Sequence, residues 1–286
     1  TSNIHSPKFK NIVRNLYYKD LLSLTKSQYP NTRSYFDVIK ELFQENIIDY
    51  KLLTPSSLRY IKQGRFPCML SGLYFRASIM NPFLVHSLSE TLFKRPERVL
   101  TPTLGWSSYL LGFIENPSLL EYVGIDVIPK VCRITKQLAT EKRPKLNVEV
   151  YCKPSEDLYR SKRFMNKYRN HFDLVFFSPP YYQLELYKGS NQSTSRYTTY
   201  EQWLLEYWTP TIKLCFNCLK PGGRLCYIIS GYGSGTSYLD LDRDMNKIIH
   251  NETFHRSSTH VIDGSNVEFT KHRRHRETLY SFFKPK

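Results

Sequence analysis

The chain has 286 residues, 41% of them hydrophobic and 15% aromatic, and carries 41 Lys and Arg against 25 Asp and Glu, a formal net charge of +16. That apolar fraction excludes wholesale disorder, and no apolar run approaches the roughly 18 residues that a membrane span needs. The charge points to a polyanionic partner, because each neutralised phosphate releases counterions.

The opening stretch, TSNIHSPKFKNIVRN, is polar and lacks the apolar segment of a signal peptide. Residues 1–50 read as helical: Ile12, Leu16, Leu21 and Leu22, then Tyr35, Phe36, Ile39, Leu42 and Phe43, recur at helical spacing on either side of Pro30. This segment and the next, up to residue 71, form a helical extension ahead of a main domain at 72–286. Short helices and loops fill 51–97. From 98 the texture changes to strand–turn–helix alternation. Strands are expected at 98–100, 121–126, 148–151, 172–177, 223–229 and 279–283, with helices from Ser107, from Pro129 to Lys142 and from Tyr200 to Leu219. Residues 172–177, FDLVFF, form the near-continuous apolar run of a strand buried on both faces. The alternation implies an α/β fold: a doubly wound, Rossmann-like sheet with helices on both faces and its ligand site at the C-terminal strand ends. Residues 183–200 read as a mobile polar loop.

Six cysteines, Cys68, Cys132, Cys152, Cys215, Cys218 and Cys226, are scattered through apolar or helical stretches. They read as reduced thiols, suiting the cytoplasm or another reducing compartment with access to DNA. Cys215 and Cys218 have metal-like spacing but fall within one helix and lack a second pair, so they read as core. The eight histidines show no ligand spacing, and no metal is expected.

Three strand ends carry chemistry. After the fourth strand comes Ser178-Pro179-Pro180-Tyr181. Two consecutive prolines make a rigid turn rich in carbonyls. A hydroxyl and a proline carbonyl there can accept two hydrogen bonds from one exocyclic amine, and the Tyr181 ring can stack on a flat base. The second strand ends at Asp126, followed by Val127, which suits the ribose diol of a nucleoside-like cofactor. Glu156 and Asp157 follow the third strand, placed to meet an adenine edge.

On these residues the chain resembles the S-adenosylmethionine-dependent DNA amino-methyltransferases, which modify N4 of cytosine or N6 of adenine. Ser178-Pro179-Pro180-Tyr181 matches their catalytic Asp/Asn/Ser-Pro-Pro-aromatic signature. Leu219-Lys220-Pro221-Gly222-Gly223 resembles the helix end before a strand in the wider methyltransferase fold, and Asp126 its ribose-binding acid. Phe75-Arg76-Ala77-Ser78 with Asn81-Pro82 resembles the segment lining the methionine side of the pocket, and Arg276 to Tyr280 the closing strand. The resemblance implies S-adenosylmethionine as cofactor. It is to be bound by Phe75, Arg76, Thr101, Pro102, Gly105, Asp126, Val127, Glu156, Asp157 and Ser178. It also implies catalysis by Ser178, Pro179, Pro180 and Tyr181 on a flipped base. Serine at the first position leans toward cytosine, with adenine open. Tyr182 and the basic run Lys271, Arg273, Arg274 and Arg276 are the candidate nucleic-acid contacts, with DNA favoured over RNA. Target recognition falls to loops, the N-terminal helices, a second subunit or a homodimer.

The first turn departs from the family. Relatives read Asp-Pro-x-x-Gly-x-Gly; here the stretch is Thr101-Pro102-Thr103-Leu104-Gly105-Trp106-Ser107-Ser108. The acid for the cofactor's ammonium is replaced by Thr101, and later glycines by serines, which implies altered cofactor binding. Two alternatives therefore stay open: a non-catalytic nucleic-acid-binding subunit on a methyltransferase scaffold, and an RNA base methyltransferase.

Overall fold

The computed structural model describes residues 7–23, 25–26, 78–231, 238–252, 254–262 and 277–286, with isolated positions 44, 55, 59 and 62. The chain divides into two compact units. One comprises Thr1–Val13, Ile79–Tyr182 and Gly189–Lys286; the other comprises Arg14–Ser78 and Gln183–Lys188. In the second unit, Thr25–Lys26 pairs antiparallel with Leu186–Tyr187, and the Ser78 N–H donates to Glu185 Oε1 (3.1 Å).

The first unit is built on a seven-stranded sheet. Its strands are β1 (Arg98–Thr101), β2 (Glu121–Asp126), β3 (Asn147–Cys152), β4 (Phe172–Phe177), β5 (Leu219–Ile229), β6 (His255–Val261) and β7 (Thr278–Phe283). In space they lie β3-β2-β1-β4-β5-β7-β6. The first five are parallel; β7 runs antiparallel to β5, and β6 antiparallel to β7. Chain order reverses between β1 and β4, so a crevice opens at their C-terminal ends.

The helices are α1 (Pro7–Ser23), α2 (Pro82–Thr91), α3 (Ser108–Phe113), α4 (Pro129–Lys142), α5 (Ser155–Arg160), α6 (Lys162–Tyr168), α7 (Ser193–Arg196), α8 (Tyr200–Trp203), α9 (Thr209–Cys218) and α10 (Leu241–Asn251). Helix α2 starts where Asn81 Oδ1 accepts from the Phe83 N–H (3.0 Å) with Pro82 in the first turn, where a missing N–H costs nothing. Strand β4 is the centre of the core. On one face Phe176 meets Phe93, Tyr109 and Phe113 at 5.4, 5.4 and 5.8 Å between ring centroids. On the other face Phe177 packs on Trp208 (5.9 Å) and Tyr227 (6.3 Å).

The expected strands are present, with the fifth longer than its apolar run: β5 begins at Leu219, where residues through Gly223 were expected to end a helix. The stretch is held extended by Leu219 pairing with Phe172 and by the Gly222 N–H donating to the Lys284 carbonyl (2.9 Å). The helix expected from Tyr200 to Leu219 is three pieces, α8, a π-helical turn at Leu204–Trp208, and α9. Pro210 explains the break. Its ring would strike the Glu206 carbonyl in a regular helix, so the turn widens and the Thr209 N–H reaches back to the Leu204 carbonyl. Within 183–200, α7 and the short strand Leu186–Tyr187 are ordered elements in place of an unbroken loop. Of the N-terminal helices, α1 is described, kinked at Tyr17; residues 35–43 lie outside the described set.

Candidate functional site

The Ser178-Pro179-Pro180-Tyr181 turn leaves β4 at the crevice, and its serine is held at three points. The Ser178 N–H donates to the Tyr109 hydroxyl (2.9 Å). Thr103 Oγ1 donates to the Ser178 carbonyl (3.3 Å). The Ser178 hydroxyl itself donates to the Ile228 carbonyl on β5 (2.9 Å). A serine that gives its one proton to a fixed carbonyl presents only lone pairs to anything else. Tyr109 sits beneath the turn, and burial pushes its phenol well above the usual range. Tyr181 is 8% exposed, and its hydroxyl donates to Glu277 Oε1 (3.3 Å) just ahead of β7.

The turn after β1 faces this one. Gly105, Trp106 and Ser107 take consecutive left-handed conformations, with φ of 51°, 56° and 65°. Only Gly105 does so freely, and a Cβ there would lie 2.3 Å from the Tyr109 ring. For Trp106 and Ser107 the conformation costs about 1–2 kcal/mol each. Packing holds them: both are buried, and Ser108 Oγ donates to the Gly105 carbonyl (2.6 Å). Thr101 does not face the crevice with its side chain; the hydroxyl is buried against the Tyr122 hydroxyl at 2.8 Å. The Pro102 carbonyl accepts from Ser155 Oγ (2.8 Å), tying this turn to the one after β3.

Asp126 ends β2 beside them. Its Oδ2 accepts from the Leu104 N–H (3.1 Å) and its Oδ1 from the Ile128 N–H (3.0 Å). Burial raises its carboxyl above the ordinary range, against the pull of those backbone donors. Each oxygen keeps acceptor capacity for a diol. Val127 adjoins it, half-buried.

Glu156 and Asp157 open α5, and both are already engaged. Arg196 of α7 gives Nη1 to Glu156 Oε1 (2.9 Å) and to Asp157 Oδ2 (3.1 Å), and Nη2 to Asp157 Oδ1 (2.8 Å). The Tyr197 hydroxyl adds a bond to Glu156 Oε1 (3.3 Å). Glu156 is 1% exposed, and burial pushes its carboxyl up against the attraction of Arg196.

Tyr182, expected on the nucleic-acid side, is instead a core residue. It is 6% exposed, its hydroxyl donates to the Thr198 carbonyl (2.7 Å), and its ring packs on Tyr200 and Trp203. Phe75 and Arg76 lie outside the described residues, as do Lys271, Arg273, Arg274 and Arg276. Cys215 and Cys218 are buried on α9, and burial pushes the Cys218 thiol up to about 12. Among the described residues, no helix is long and apolar enough to cross a membrane.

Sequence reasoning misses several residues at the site. Tyr109 and Thr103 brace Ser178, and Arg196 holds the two acids. The buried hydroxyls of Tyr207 and Ser230 have no hydrogen-bond partner among the described residues. None of these carries a motif. Finding them needs an account of where each buried donor and acceptor goes.

No family model matches the chain, and no curated protein matches it. Solved structures do. A 1,6-didemethyltoxoflavin-N1-methyltransferase from Burkholderia thailandensis aligns over 92% of this chain and 95% of its own, at 10% identity and a TM-score of 0.48. The [4+2]-cyclase SpnF aligns over 73% of this chain and 84% of its own, at 13% identity and a TM-score of 0.50. TrmN from Thermus thermophilus aligns over 71% of this chain and 48% of its own, at 15% identity and a TM-score of 0.47. Identities this low speak to fold and leave chemistry to the site. The seven-stranded unit, with its flanking helices, has a doubly wound, Rossmann-like fold similar to that of SpnF.

Proposed function

We propose that this protein is an S-adenosylmethionine-dependent methyltransferase that acts on the exocyclic amine of cytosine or adenine in DNA. The observation that carries the reading is the Ser178 hydroxyl, which directs its proton to the Ile228 carbonyl (2.9 Å). That makes a serine behave as an acceptor, as a carboxylate or amide oxygen would at the same place. An exocyclic amine is a poor nucleophile, because its lone pair is conjugated into the ring. Two acceptors, the Ser178 hydroxyl and the Pro179 carbonyl, favour a tetrahedral nitrogen and stabilise the positive charge that develops on it. Stacking on the Tyr181 ring would hold a base removed from its helix.

The residues present fit the cofactor. Asp126 offers a carboxylate to the ribose diol. When bound, S-adenosylmethionine supplies an electrophilic methyl group on a sulfonium. The protein's share is to place the amine in line with it and to keep water out. The net charge of +16 supports a nucleic-acid substrate.

One observation favours the non-catalytic alternative. Thr101 is turned into the core against Tyr122, so the position that relatives give to an ammonium-binding acid offers nothing to a ligand. Single-turnover methylation with labelled cofactor, paired with cofactor titration, separates the two readings. Ser178→Ala should lower turnover more than cofactor affinity, and Tyr181→Ala should lower turnover with cofactor affinity within about twofold. Wild-type turnover in both variants would move the active site elsewhere. Cofactor binding without transfer to any nucleic acid would favour the subunit.

A further inference from the structure

Helix α10 and the edge strand β6 wall a groove of about 620 Å³ that is open to solvent, with Tyr280 of β7 between them. The helix lends it Arg243 and Lys247, four residues apart and so on one face, with His250 one turn further on. The strand lends Arg256 and Thr259, and its sequence, HRSSTHV, holds no carboxylate. Arg256 is fixed in place. Its guanidinium lies over two ring faces, 5.6 Å from the Tyr280 centroid and 5.7 Å from that of Phe282. Such stacking restrains a long side chain and leaves the N–H edge of the fork free to bind. That fork has no hydrogen-bond or ion partner among the described residues. Across the groove Lys247 and His250 are exposed, and neither has an ion pair among the described residues. The lining acid, Asp242, accepts from the Tyr280 hydroxyl (2.9 Å), and Arg243 pairs with Asp240 (3.7 Å) and Asp244 (3.1 Å). The groove thus presents a preorganised guanidinium opposite an unpaired ammonium.

We propose that this groove seats the phosphate backbone of DNA beside the base that enters the crevice, with Arg256 and Lys247 on separate phosphates. An arginine fork matches two phosphate oxygens at once, and a fork already held flat loses little freedom on binding. A groove open along its length admits a strand that passes through. It also adjoins the candidate site. Tyr280 lies three residues past Glu277, the acceptor of the Tyr181 hydroxyl, which is about 10 Å along β7. One DNA strand carries a charge about every 3.4 Å of helix axis, so nucleotides next to a base on Tyr181 come within reach. The inference rests on the DNA reading above and gives it a backbone contact, since Tyr182 is a core residue.

The probe is a fluorescein-labelled DNA duplex of mixed sequence, its affinity for the full chain read by anisotropy over a series of salt concentrations. Arg256→Gln and Lys247→Gln should each weaken binding about three- to tenfold and flatten the salt slope by about 1, and the double variant should flatten it by about 2. Arg256→Lys keeps the charge without the fork, so it should keep the slope and recover only part of the affinity. Affinity for S-adenosylmethionine should stay unchanged throughout. Lys247 has no ring or ion contact among the described residues, so Lys247→Gln decides the matter where Arg256→Gln fails to fold. Wild-type affinity and slope in the double variant, or in Lys247→Gln alone where the double fails to fold, would overturn the groove and leave the DNA reading standing. A loss on an RNA strand with none on DNA would overturn the choice of DNA. A loss confined to phosphatidylserine vesicles would give the groove to a membrane surface and overturn it as well. Failure of the wild type to bind the duplex at low salt would sink the DNA reading, and this inference with it.

Discussion

Tyr109→Phe isolates the brace beneath the Pro179-Pro180 turn. The variant removes one oxygen and keeps the ring, so no cavity opens beside Phe176 and Gly105. What is lost is the acceptor for the Ser178 N–H, a bond of 2.9 Å at a side chain only 2% exposed. No other acceptor for that N–H is in evidence at the turn, since Pro179 and Pro180 supply carbonyls only from the far side of the serine. Orphaning a part-buried backbone donor costs about 1 kcal/mol, and up to about 3 kcal/mol were it fully desolvated. Urea unfolding should therefore show a lower midpoint with an unchanged slope, the mark of a stability change without a change in the surface exposed. Turnover should fall as well, because the serine would lose one of three anchors. A loss below about 0.5 kcal/mol would refute the reasoning, since a well-formed hydrogen bond is worth about 0.5–1.5 kcal/mol net. A loss above about 4 kcal/mol would point to repacking of the ring and not to the hydrogen bond.

Three further predictions concern charge. Asp126→Ala should weaken S-adenosylmethionine by about 1–3 kcal/mol in calorimetric titration, the scale of a lost charge-assisted hydrogen bond; unchanged affinity would remove Asp126 from the ribose site. Burial raises the Asp126 carboxyl in the folded state, so the native protein holds this proton more tightly than the unfolded chain does. Stability of the ligand-free wild type relative to Asp126→Asn should accordingly fall as pH rises through the carboxylate range, read from unfolding midpoints at a series of pH values. Arg196→Ala should destabilise by about 2–3 kcal/mol at neutral pH, because Glu156 loses its charge-assisted partner in a buried position. That loss should shrink as pH falls and Glu156 takes up a proton; a loss independent of pH would mean that the arginine acts through packing.

The alternation of strands and helices was legible because β4 and its neighbours are buried on both faces, and such strands read as apolar runs. The edge strand β6 was not. His255 to Val261 is exposed along nearly its whole length, so HRSSTHV has neither an apolar run nor a two-residue alternation. Helix α10 was readable, with Leu241, Met245 and Ile249 buried at a spacing of four and Asp240 capping it, but its three acids and basic residues hide that stripe. The first turn was illegible in another way. The glycine pattern is absent, yet the left-handed path is kept by Trp106 and Ser107 at a cost that packing offsets. Composition shows which residues adopt a conformation cheaply, not which ones a fold will force into it. The Pro-Pro turn was visible as a motif. Its brace of Tyr109, Thr103 and Ile228 was not, since those residues are remote in sequence and ordinary in type.

The account stands most directly on what happens to a base amine. Full-length protein should be incubated with methyl-labelled S-adenosylmethionine and, in separate reactions, with duplex DNA, single-stranded DNA and RNA, and the digested nucleosides analysed by mass spectrometry. The predicted result is labelled N4-methylcytosine or N6-methyladenine from DNA, lost in Ser178→Ala. Label on an RNA base alone would contradict the choice of substrate, and label on ring carbon or no label in any reaction would contradict the role given to Ser178 and Pro179.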